Sequence, residues 1–247
     1  PYMVAAKFIK TYQTKGYLNV NGIESREAYF FINSVTEIKA ILKQTQLTED
    51  DYRIICADNP KNRSTLGSYT ISSSIDAPKR FNFITSKSFE GVDFHSETGL
   101  CFVVSNVQNR HTLVSIDMDI PQIVGRIRTK SNPFRNKVVH IFNTKATDHY
   151  TTFEEMEQIV DKEVKAAQER ADMLNNAKLS EPAIKQQVNE IKKVGVESYL
   201  SYQENKFIVN DMVAKLQLYS YYIATVVYQS DKSLRETYAQ SGVVTTK

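Results

Sequence analysis

Five short runs of consecutive apolar residues constrain this chain most: Ala28–Asn33, Tyr52–Ala57, Phe81–Thr85, Leu100–Ser105 and Val138–Phe142. Each has strand length, and none alternates apolar with polar as a half-exposed strand would. Continuous apolarity suits strands covered on both faces, the pattern of a parallel sheet packed between helices. Helical spacing fills the gaps. Val4, Ala5, Phe8, Ile9 and Tyr12 recur at helical intervals, and Val35–Gln44 reads as a helix with Ser34 as N-cap and Glu37 three residues on. Asp58–Pro78 is rich in Ser, Asn and Pro and reads as loop with at most one short element. The expected class is α/β.

The pattern changes near residue 147, where a domain boundary is expected, giving regions 1–147 and 148–247. The second region reads as almost wholly helical. Thr152-Phe-Glu-Glu155 is a capping box. Ser180-Glu-Pro-Ala opens a further helix, with Pro182 tolerated in its first turn. A third helix is expected from about Asn205, burying Phe207, Ile208, Met212 and Val213, and a short fourth from Lys232 to Gln240.

Composition narrows the function classes. In 247 residues the apolar fraction is 41%, enough for a real core, and no apolar run is long enough to span a membrane, so no membrane partner is expected. The N-terminus, Pro-Tyr-Met, lacks the pattern of a signal peptide and points to an excised segment. Cys56 and Cys101 each lie in or at the end of an apolar run, which fits buried thiols in a reducing, cytoplasmic setting. His95, His111, His140 and His149 are scattered without ligand spacing, so no metal site is expected and structural or surface roles are. The net charge of +3 does not announce nucleic acid, but its distribution is uneven. Ile120–Thr147 holds Arg126, Arg128, Lys130, Arg135, Lys137 and Lys145 and no acidic residue. That is either a solvated basic face or a surface that meets phosphates.

Two segments carry chemistry. Thr85-Ser-Lys-Ser-Phe-Glu-Gly-Val-Asp93 reads T-x5-G-x-D after an apolar strand. The carboxyl edge of a parallel sheet is where ligands bind. Thr85, Ser86 and Ser88 offer donors for phosphate oxygens, Gly91 allows close backbone approach, and Asp93 can accept from a ribose hydroxyl or a basic partner. Gln122-Ile-Val-Gly-Arg-Ile-Arg128 reads Q-x-x-G-R-x-R. Gly125 permits close packing there. Arg126 and Arg128 are two positions apart and do not share one helix face, so one can meet a ligand while the other serves structure. An arginine fork suits a transferring phosphoryl group.

In order and in position relative to strands, these segments resemble motifs V and VI of superfamily 2 helicases, and Phe-Ile-Asn-Ser34 resembles motif IV. The resemblance covers roughly Arg26 to Thr144. It implies a RecA-like parallel sheet flanked by helices, here followed by a helical C-terminal region. The implied activity is that of the second motor domain of an ATP-dependent nucleic-acid helicase or translocase, in replication or repair. It implies ATP with Mg²⁺ as cofactor, held mainly by an N-terminal RecA-like domain of the same polypeptide, since no G-x-x-x-x-G-K-[ST] loop occurs in this chain. DNA or RNA, as a single strand, is the implied partner. Carried over by position, Arg126 is the arginine finger. Many members read Q-x-x-G-R-x-x-R; this chain is one residue shorter, so Arg128 matches the second arginine less closely. Gln122 positions the finger or meets nucleotide, Gly91 and Asp93 couple the nucleotide and strand sides, and Asn33, Ser34, Thr85 and Ser86 line the nucleic-acid track. Two other readings stay open. One is a non-catalytic RecA-like module that binds nucleic acid or protein. The other is a structural protein assembled through its helical part.

Overall fold

A computed structural model of the chain describes residues 1–86, 92–144, 151–195 and 198–246. The chain forms two compact units, Pro1–Ala146 together with Tyr228–Lys247, and Thr147–Val227.

The first unit opens with helix α1 (Tyr2–Lys15), closed by Gly16 at a left-handed φ of 85°. A hairpin of β1 (Leu18–Val20) and β2 (Ile23–Ser25) follows. Its turn is Asn21-Gly22, both at positive φ, the pairing that a two-residue hairpin favours. The five apolar runs then become β3 (Glu27–Phe31), β4 (Tyr52–Ile55), β5 (Phe81–Ile84), β6 (Gly99–Val104) and β7 (Val138–Ile141). They form one sheet in the order β4-β5-β3-β6-β7, with every neighbouring pair parallel. Between them lie α2 (Val35–Thr45), α3 (Pro60–Leu66) and α4 (Asp119–Val124), and α8 (Asp231–Gln240) returns to this unit from the far end of the chain. This is the expected α/β class, a RecA-like parallel sheet flanked by helices.

Continuous apolarity is explained by what each face meets. Ala28, Phe30, Ile54, Phe83, Leu100 and Phe102 pack with Ile9 and Tyr12 of α1, Ile38 and Ile41 of α2, and Leu66 of α3. The Phe30 ring stacks between Phe83 (5.5 Å) and Phe102 (4.8 Å) on the flanking strands. Each such ring removes apolar area from water worth about 1.5–3 kcal/mol. The opposite face carries Tyr29 and Phe31, which meet Phe94. Cys56 and Cys101 are buried and form no disulfide.

Gly99 starts β6 where a side chain has no room. A Cβ there would lie 2.5 Å from Tyr29 Cε2 and 2.8 Å from Ser96 Oγ. Gly99→Ala should therefore lower stability by about 1–3 kcal/mol through overpacking, read as a fall in the urea midpoint. An unchanged midpoint would mean that Tyr29 can move aside.

The second unit is less helical than the sequence suggests. Helix α5 (Phe153–Asn176) has the expected reciprocal cap, Glu155 N to Thr152 Oγ1 at 3.1 Å and Thr152 N to Glu155 Oε2 at 2.7 Å. Helix α6 (Glu181–Val194) follows. The helix expected from Asn205 begins only at Asp211, as α7 (Asp211–Tyr222). Phe207 and Ile208 belong instead to a hairpin of β8 (Leu200–Gln203) and β9 (Lys206–Val209). The reason is local. Glu204 and Asn205 both take positive φ, 49° and 60°, and close a two-residue turn of the hand that suits twisted strands. Asn175 of α5 then completes the edge, donating to Phe207 O (2.7 Å) and accepting from Phe207 N (2.8 Å).

Candidate functional site

Parallel pairing brings the first set of expected residues together. Phe31 and Ile84 are in register, so β3 and β5 release Asn33 and Ser86 side by side at the carboxyl edge of the sheet. Asn33 Oδ1 accepts from Ser86 N (3.2 Å) and from Ser86 Oγ (2.7 Å), and Asn33 Nδ2 donates to His111 O (2.7 Å). One side chain thus ties together the segments that leave β3, β5 and β6. Their neighbours are spent on structure. Ser34 is buried and its Oγ caps α2 by accepting from Glu37 N at 3.4 Å. Thr85 is buried and its N–H extends the sheet to Ile55 O. Of the four residues expected along a nucleic-acid track, Asn33 and Ser86 are the accessible pair. Ser88 and Gly91 lie outside the described residues, as do Lys145 and His149.

The second set also converges, and through backbone. Phe94 and Ile127 form an isolated parallel bridge, with Phe94 N to Arg126 O and Arg128 N to Phe94 O both at 2.9 Å. The two arginines lie past the end of α4, Arg126 in the turn that closes the helix and Arg128 in the extended chain beyond it. The bridge beside Asp93 lets both side chains reach it. Arg128 Nε donates to Asp93 Oδ1 at 2.9 Å, and Arg126 Nη1 lies 3.7 Å from the same oxygen. They differ in freedom. The Arg126 side chain is 13% exposed and donates to Gln122 O (2.8 Å) and Val92 O (3.4 Å). Arg128 is 47% exposed. Gln122 serves this arrangement through its carbonyl. Gly125 ends α4 at φ −78°, and an added Cβ would meet nothing nearer than 3.6 Å, so close packing does not require glycine there.

Phe94 is itself held from beneath. It lies 4.6 Å from the Tyr29 ring, and the Arg53 guanidinium sits 5.6 Å from its ring centre. Arg53, only 2% exposed, donates from Nε to Asn82 Oδ1 (2.6 Å) and from Nη1 to the Asp76 carbonyl. Burial lowers its pKa, opposed by Tyr29, Asp76 and Glu27 nearby. A cavity of about 390 Å³ lies here, lined by Arg53, Asp76, Asp93, Phe94 and His95 among others. Sequence reasoning passed over Arg53 and Asn82. The available signal was a lone polar residue inside each of two apolar runs.

A second polar network was also missed. His140 of β7 bonds Tyr238 Oη through Nδ1 (2.6 Å) and Ser105 Oγ through Nε2 (3.0 Å). Tyr228 Oη donates to Val114 O (3.0 Å) and reaches Ser105 Oγ at 3.2 Å. Burial pushes the imidazole pKa down to about 3, so the ring is neutral near pH 7. The network fastens the final helix α8 to the sheet, a structural role.

Among the described residues no group of His, Cys, Asp and Glu could hold a metal ion, and no helix is long and apolar enough to cross a membrane. The site offers instead an arginine pair poised on one carboxylate, and a polar ledge at the carboxyl edge of the sheet. The chain matches no protein-family model and no curated protein.

Proposed function

We propose that this chain is the second motor domain of an ATP-dependent nucleic-acid helicase or translocase. The observation that carries the reading is the bridge between Phe94 and Ile127, which locks Asp93 to Arg126 and Arg128 through backbone. Segments that resemble two separate motor motifs are thereby built into one unit. Arg126, the finger by position in the resemblance, is committed to the Gln122 and Val92 carbonyls and braces the segment from within, so the finger role passes in this reading to Arg128, the more accessible fork. Asp93 holds Arg128 in place until a nucleotide on the partner domain competes for it. Guanidinium groups positioned in advance stabilise the charge that develops on a transferring phosphoryl group. ATP and Mg²⁺ would be held mainly by the phosphate-loop domain. Asn33 and Ser86 would meet the backbone of a single strand of DNA or RNA, a contact that carries no base code.

The test is ATP turnover by the full native polypeptide, with and without single-stranded oligonucleotide. Turnover stimulated by the strand, and reduced stimulation in Asn33→Ala, is the expected result. Strand binding without any strand-dependent turnover would favour a non-catalytic binding module.

A further inference from the structure

We propose that the segment Thr129–Lys137, with Arg235 of α8, is a second nucleic-acid backbone site, at the opposite end of the sheet from Asn33 and Ser86. Lys137 immediately precedes β7, and Asn132 Nδ2 donates to Ser96 O (2.8 Å) and Gly99 O (3.0 Å) at the entry to β6. Asn33 and Ser86 follow β3 and β5. All five strands are parallel, so the two places lie at opposite ends of strands whose length, at about 3.3 Å per residue, is about 13–20 Å.

The segment is anchored by turns and a buried ring, and its charge is uncommitted. Asn132 N to Thr129 O, Arg135 N to Asn132 O and Lys137 N to Phe134 O close successive turns. Buried Phe134 anchors them, and its N–H donates to Asn132 Oδ1 at 2.7 Å. Lys130, Arg135 and Lys137 are exposed on these turns, and Arg235 lines the same groove as Lys137 and Asn136. Among the described residues none of these four side chains has an ion pair or hydrogen bond. The nearest acidic contact to the segment is Glu97, which accepts from Ser131 Oγ.

Chemistry favours nucleic acid over an acidic protein. The exposed side chains of Thr129–Lys137 are Lys130, Ser131, Arg135, Asn136 and Lys137. All are donors of the kinds that contact phosphate oxygens. None on these turns is an exposed aromatic or aliphatic anchor, which a protein interface concentrates at its centre, although the groove shared with Arg235 also carries Val138, Val139 and the exposed Val244.

The measurement is the salt dependence of affinity for a labelled single-stranded oligonucleotide of about 30 nucleotides, long enough to exceed one site of about 4–16 nucleotides. Each phosphate contact contributes about 0.7 to the slope of log affinity against log salt. Lys130→Gln, Arg135→Gln and Lys137→Gln together should reduce that slope by about 2, while the charge-keeping set Lys130→Arg, Arg135→Lys and Lys137→Arg should restore it. The loss should persist in a chain that also carries Asn33→Ala and Ser86→Ala. A slope unchanged by the glutamine set overturns the proposal, as does tighter binding of poly-glutamate than of the oligonucleotide. The site stands apart from the motor reading, because loss of strand-dependent ATP turnover leaves this slope untouched.

Discussion

Arg128→Ala in the full native polypeptide should lower ATP turnover by about 10³-fold or more, the range for arginines that meet a transferring phosphoryl group. Folding and strand affinity should be nearly unchanged, because the side chain is 47% exposed and its recorded partner is the equally exposed Asp93. An exposed pair of this kind contributes little to stability. Arg126→Ala should also reduce turnover, but by a different route. Its side chain ties Gln122 O and Val92 O together, so removal loosens the segment that carries Arg128. Each lost bond from a charged donor costs about 1.5–3 kcal/mol. The two variants therefore separate on thermal melting, with Arg126→Ala melting lower and Arg128→Ala like the parent. If Arg128→Ala kept turnover within about threefold of the parent while Arg126→Ala abolished it without loss of stability, the roles would be exchanged.

His140→Gln should weaken the fold near neutrality and flatten its response to acid. The imidazole is held neutral, with its pKa pushed from 6.5 to about 3 by burial. A folded-state pKa below the unfolded one means that the unfolded chain takes up the proton first as pH falls. The stabilisation is therefore complete above about pH 6.5 and drains away towards pH 3, by up to about 1.4 kcal/mol per pH unit. Between pH 7 and pH 5 that is about 2 kcal/mol of acid sensitivity that the glutamine protein lacks. At pH 7 the substitution should itself cost about 1–3 kcal/mol, by disturbing the partners of Tyr238 and Ser105. Urea midpoints of both proteins at pH 7 and pH 5 decide this. Carboxylates titrate in both, so the difference between the two proteins isolates the ring. Equal acid sensitivity would show that His140 does not carry it.

The sheet was legible because burial on both faces leaves a mark that needs no partner to be read. All five apolar runs became strands, and the capping residues Ser34 and Thr152 stand where helices begin. What escaped depended on conformation or on distance along the chain. Phe207-Ile-Val209 is apolar enough for either a helix or a strand, and the positive φ angles at Glu204 and Asn205 settled it. Asn21-Gly22 was a readable turn that the apolar runs overshadowed. The candidate site was half legible. The residue types at Asp93, Arg126 and Arg128 stood out, but their convergence depends on a bridge between positions 94 and 127 that periodicity cannot reveal. Burial then divided residues that composition treats alike, leaving Ser86 accessible while Ser34 and Thr85 went to cap and ladder.

The order of the strands has a consequence for how the molecule is made. The first strand of the five-stranded sheet to be synthesised, β3, is its central one, and its partners are β5 and β6. Phe30 meets Phe83 and Phe102, about 50 and 70 residues later in the chain. Contacts so distant in sequence slow folding. At about 5–20 residues per second, several seconds pass between the emergence of β3 and that of its last partner. Through that interval Ala-Tyr-Phe-Phe-Ile leaves the ribosome with both edges unpaired, while α1 and the Asn21-Gly22 hairpin, which precede it, are already made. The nascent chain is most exposed to aggregation in that window, and a synthesis pause after Val104 would let the sheet close around its centre before the second unit is made.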